Sequence, residues 1–108
     1  MLFRSSKFAI RGFTQSLAKE LGPLGIRVNA INPVLIETPG LLNALDSTES
    51  PAQGDASAFL NEFARTQTAL GRLPRAEDVG NLVKFLLSMD ANSITGQSIN
   101  IDCGVLPN

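Results

Sequence analysis

Residues 5–38 read SSKFAIRGFTQSLAKELGPLGIRVNAINPVLIET, from Ser5 to Thr38. Ala9, Phe13, Leu17 and Leu21 recur at spacing four, with Ile10 beside them, and form an apolar stripe at helical period. Ser5 or Ser6 can cap the start of that helix, because a hydroxyl accepts from an exposed first-turn N–H. Gly22-Pro23 stops it, and Ile26–Ile31 follows as a short strand rich in β-branched residues, ended by Pro33. Apolar residues on both faces of that strand suit a parallel sheet covered on both sides. Gly12 costs up to about 1 kcal/mol against Ala inside a helix, so its presence predicts close packing there. The stretch therefore predicts a helix, a turn, a strand and a loop leaving the strand's C-terminal end, where ligands of open α/β sheets bind.

Outward from this stretch the pattern continues. Residues 37–56 hold Pro39, Gly40, Pro51 and Gly54 among polar residues and predict a long loop, with one helical turn at Leu41–Leu45. Ser57–Leu70 predicts a helix with Phe59, Leu60, Phe63 and Ala64 on one side. Glu77 and Asp78 suit the first turn of the next helix, whose apolar positions are Val79, Leu82, Val83, Leu86 and Leu87. Ile94-Thr95-Gly96 predicts a turn and Ser98–Asp102 a last strand. The order is helix, strand, helix, helix, strand. Two strands offer too little sheet for three helices, so the chain reads as part of a larger doubly wound domain.

Composition narrows the function classes. The 108 residues suffice for one small domain. A net charge of −1 gives no electrostatic case for nucleic acid or an anionic membrane. No apolar run approaches the roughly 18 residues that span a bilayer. Cys103 is the one cysteine and there is no histidine, which excludes an intrachain disulfide and the common Cys/His zinc sites. A single cysteine is compatible with a cytoplasmic location. Cys103 is expected to be a small buried apolar residue.

Several ordered motifs resemble the short-chain dehydrogenase/reductase family. Members carry Y-x-x-x-K at the start of the first helix here, then a run like GIRVNAI-x-PG-x-I-x-T. Lys7 stands at the lysine position and Gly25–Ile31 matches the run. Gly71-Arg72, Glu77-Asp78-Val79, Phe85–Ser88 and Ile94–Gln97 then match the family's usual ending, and Asp102-Cys103-Gly104 stands at its D-G-G-like turn. Two positions depart: Phe3 replaces the tyrosine and Val34 the glycine. The resemblance covers nearly all of residues 1–108. It implies the C-terminal part of a Rossmann-like doubly wound parallel sheet, without the N-terminal dinucleotide-binding half. No G-x-x-x-G-x-G phosphate loop occurs in the sequence.

The resemblance also implies roles. The family's tyrosine is the general acid/base of hydride transfer between a nicotinamide and a carbonyl, and Phe3 cannot inherit proton transfer. Lys7 would hold the nicotinamide ribose of NAD or NADP; on an arbitrary helix it would be a solvated lysine. Pro33, Val34, Ile36 and Thr38 would contact the nicotinamide, Ile36 through its backbone and Thr38 through its hydroxyl. A Cβ at Val34 would narrow the pocket or demand a different backbone angle. Asn29 and Asn32 are expected to satisfy backbone groups near the strand end. The SKFAIRGFTQ run is most similar to members acting on small alcohols and ketones such as acetoin or diacetyl. The fragment alone is expected to be inactive, and to form homo-oligomers or pair with full-length relatives. The competing expectation is a non-catalytic truncated protein that pairs with full-length relatives through its first helix. Whether Met1 is a true start distinguishes the two.

Overall fold

The computed structural model describes residues 2–36, Asn43 and 55–105; over 2–7 the description is of the helical backbone. The predicted turn at Leu41–Leu45 and most of the predicted loop lie outside the described residues. The elements are α1 (Leu2–Leu21), β1 (Ala30–Pro33), α2 (Ala56–Gln67), α3 (Ala76–Leu86) and β2 (Ser98–Ile101). The predicted order holds. β1 and β2 form a two-stranded sheet. The N–H of Ala30 donates to the carbonyl of Gln97 at 2.8 Å and, four residues on in both chains, that of Val34 to Ile101 at 3.1 Å. Both partners advance together, so the strands are parallel. None of the described helices is long and apolar enough to cross a membrane.

Two compact units divide the chain. In the first, residues 1–32 and 81–99, α1 begins before the serines expected to cap it. Its end follows glycine chemistry at a different glycine from the one expected. A 3-10 turn over Gly22–Leu24 tightens the last turn, and Gly25 takes the left-handed cap at φ 78°, its N–H donating to Gly22 at 2.9 Å. The buried face of α1 is Thr14 and Ala18, with Leu17 and Leu21 half-buried. The Thr14 hydroxyl is satisfied by the Ile10 carbonyl at 2.7 Å. Ala9 and Phe13, the first half of the predicted stripe, are exposed, and a Cβ at Gly12 would meet nothing. The close packing expected at Gly12 is therefore absent among the described residues. Within α3, Leu86 is buried while Val83 is exposed, as is Leu87 just beyond it, so the apolar face is narrower than predicted.

Strand β1 starts four residues later than predicted, for a reason visible in its hydrogen bonds. Residues Arg27–Asn29 are tied to the 94–97 turn largely through side chains. Val28 N–H donates to Thr95 Oγ1 at 3.0 Å, Asn29 Nδ2 to the Ile94 carbonyl at 3.0 Å, and Gln97 N–H to Asn29 Oδ1 at 3.1 Å. Ladder pairing begins where these side chains end. Asn29 thus satisfies backbone groups, as expected.

In the second unit, residues 33–80 and 100–108, Asp55 caps α2 by accepting from Ala58 N–H at 3.0 Å. Ala56, Leu60 and Ala64 are buried at spacing four, and Phe59 and Leu73 pack on the first two. Pro74 is fully buried. Asp78 reaches back from the third helical position of α3 to the N–H of Arg75 at 2.8 Å, half of a capping box. The Asp102–Gly104 turn closes the unit: Asp102 Oδ1 accepts from Gly104 N–H at 2.8 Å, and Leu70 N–H donates to Cys103 at 3.0 Å.

Candidate functional site

The candidate site begins where β1 ends. Pro33 is exposed and closes the strand; a proline there sacrifices no donor needed further along the ladder. Val34 is half-buried and its N–H is held by Ile101. Its backbone is not left-handed. The left-handed residue is Leu35, at φ 47°. Val34 thus carries its Cβ without a left-handed angle, and the left-handed angle lies one residue on. Left-handed backbone costs roughly 1–2 kcal/mol in a residue other than glycine.

Among the described residues neither Leu35 nor Ile36 takes part in a hydrogen bond, and both are half-buried.

Pro33, Val34 and Ile36 thus lie together on one stretch of the second unit. Lys7 lies in the first unit, on the early turns of α1, where the backbone is helical. A helical spacing of four places positions 3 and 7 on one helical face. Thr38 lies outside the described residues. Sequence reasoning missed Leu35, because leucine carries no signal for a left-handed angle. It also missed the depth of Asp102, which is buried at 7% exposure. Cys103 is only half-buried and left-handed at φ 54°, with Arg72 Nη1 3.6 Å from its sulfur, so the expectation of a buried apolar residue is corrected to a turn residue.

A parallel strand pair in a chain ordered helix, strand, helix, helix, strand has the form of a piece of a dinucleotide-binding α/β protein. A family profile described as Enoyl-(Acyl carrier protein) reductase matches residues 2–106. The chain belongs to the short-chain dehydrogenase/reductase family. It is 42% identical over 104 residues to diacetyl reductase [(S)-acetoin forming] of Staphylococcus aureus, covering 96% of this chain and 40% of that protein. It is 39% identical over 106 residues to L-2,3-butanediol dehydrogenase of Corynebacterium glutamicum, covering 98% and 41%. The crystal structure of L-sorbose reductase from Gluconobacter frateurii, complexed with NADPH and L-sorbose, superposes with a TM-score of 0.83 at 31% identity, over 96% of this chain and 40% of that one. The chain spans about 40% of the length of these relatives.

Proposed function

We propose that residues 1–108 supply the lysine-bearing helix and the nicotinamide-side loop of an NAD(P)-dependent oxidoreductase that transfers hydride between the cofactor and a small alcohol or ketone. The observation that carries this reading is the backbone at Leu35 and Ile36. Both residues are half-buried, take part in no hydrogen bond among the described residues and follow the C-terminal end of a parallel strand. Their backbone groups fit a carboxamide, which both donates and accepts. The names of the relatives, diacetyl reductase and butanediol dehydrogenase, favour a small vicinal carbonyl or diol as substrate.

The bound nicotinamide would supply or take the hydride. In this chain Lys7 would hold its ribose, Pro33, Val34 and Ile36 would line its carboxamide side, and Thr38 would add a hydroxyl. Phe3 stands where a proton donor is needed and has none to give. The test is a chimera in which the upstream part of a close relative is fused ahead of Ser5, with phenylalanine kept at the position of Phe3. It should bind NAD(H) or NADP(H), and Lys7→Met should weaken that binding. A chimera that folds but binds neither cofactor would sink the reading.

A second reading is favoured by one observation. Phe8, Ile10 and Phe13 of α1 are exposed, and among the described residues nothing stands over Gly12. On that reading the chain is a non-catalytic protein that pairs, through this helix, with a second copy or with longer relatives.

A further inference from the structure

We infer that Asn29 is a positioning residue: its carboxamide fixes the parallel register of β1 against β2. The geometry is reciprocal. Nδ2 donates to the Ile94 carbonyl at 3.0 Å while Oδ1 accepts from Gln97 N–H at 3.1 Å, so one side chain spans both ends of the 94–97 turn. The next residue, Ala30, then donates to the carbonyl of that same Gln97 at 2.8 Å, which is the first rung of the ladder. Gly96 N–H donates to Val28 at 2.7 Å and locks the turn from its other side.

Register needs such a device here. Each strand is only four residues long, and the strand residues are half-buried with a single exception, exposed Pro33. Hydrophobic burial on one face, the usual specifier of register, is therefore weak. A slip by one residue would reverse every side chain of β1. It would also move Val34 from Ile101, and with it the start of the loop proposed to meet the nicotinamide. That last consequence rests on the function proposed above; the register does not.

The test is amide hydrogen exchange on the 108-residue chain, read by mass spectrometry with residue-level fragmentation and corrected for intrinsic rates. Asn29→Leu should speed exchange at Ala30 and Val34 by roughly five- to fiftyfold, the loss that one or two hydrogen bonds can account for. Asn29→Asp separates bonding from packing. Neutral aspartic acid has both a donor and an acceptor and mimics the carboxamide; the ionised form has no donor for Ile94 and repels its carbonyl. Arg27, whose Nη1 lies 3.4 Å from the same carbonyl, is the charged group that could mask this. Ala18 of α1, facing Gly96, is uncharged. Both arms are therefore run with Arg27→Gln.

Relative to Arg27→Gln alone at each pH, the chain carrying Asn29→Asp should lose protection at Ala30 and Val34 at pH 7. It should regain protection on acidification toward about pH 4, near the ordinary aspartate range. If only the Gln97 amide responds, or if the loss does not change with pH, Asn29 merely fills space and the inference fails. Exchange is read without turnover, so a chain that binds no nicotinamide can still pass.

Discussion

Gly104 meets Ala69 so closely that a Cβ on the glycine would collide with the Cβ of Ala69. Gly104 is also left-handed, at φ 89°. Space and angle act in the same direction, so Gly104→Ala should destabilise the second unit by about 2 kcal/mol or more. Its neighbour Cys103 is left-handed without being glycine, at φ 54°. Cys103→Gly should therefore be more stable than Cys103→Ala by about 1 kcal/mol. Denaturant midpoints at equal slope measure both; an alanine as stable as the glycine at position 103 would contradict the strain argument.

Much of this architecture is legible from residues. The apolar spacings place three helices, and the Gly22–Gly25 stretch ends the first, with the left-handed cap at Gly25, because helical period and turn chemistry are local signals. What is less legible depends on distant partners. Residues 26–29 look like strand from their β-branching, yet Thr95 and Asn29 side chains occupy the hydrogen bonds a ladder would use. The cap of α2 at Asp55 lies in a polar stretch that conceals it. The stripe on α1 has the right period, but which half is covered depends on what packs there. At the site, Pro33, Val34 and Ile36 fall on one stretch because they are near in sequence, whereas the left-handed turn at Leu35 has no compositional sign.

Glu62 and Arg65 make an exposed two-bond pair on α2, at 2.7 and 3.2 Å. Hydrogen bonding to Arg65 lowers the Glu62 carboxyl below its ordinary 4.5. A carboxyl lowered by folding contributes stability above its unfolded value, and loses it as pH falls through the folded one. Glu62→Gln should therefore reduce helix stability slightly at neutral pH. The gap from the parent should close below the carboxylate range. Helicity followed against pH by circular dichroism tests this; a gap that widens in acid would refute it.

Phe3 offers a sharper test of the proposed chemistry. In the chimera described above, cofactor should bind while reduction of small ketones is very slow. Phe3→Tyr should raise turnover by roughly 10²–10⁴-fold, the usual contribution of a general acid/base. The gain should need Lys7, whose charge would bring the tyrosine pKa toward working pH. Equal turnover of both versions would mean the proton comes from another group.

Gly12 separates helix propensity from helix pairing. On α1 alone, Gly12→Leu should strengthen the helix by several tenths to about 1 kcal/mol, since among the described residues nothing stands within 4 Å of a Cβ there. If the exposed face of Phe8 and Gly12 pairs with another copy, the same change fills the gap through which the helices approach. Phe8 is 65% exposed, and burying it fully would favour association by roughly 1.5–3 kcal/mol. The parent chain should therefore self-associate in sedimentation velocity. Gly12→Leu and Phe8→Ser should each shift it toward monomer, although the first raises helicity and the second does not. A parent that stays monomeric at tens of micromolar, or a Gly12→Leu chain that associates more strongly, would remove pairing through α1.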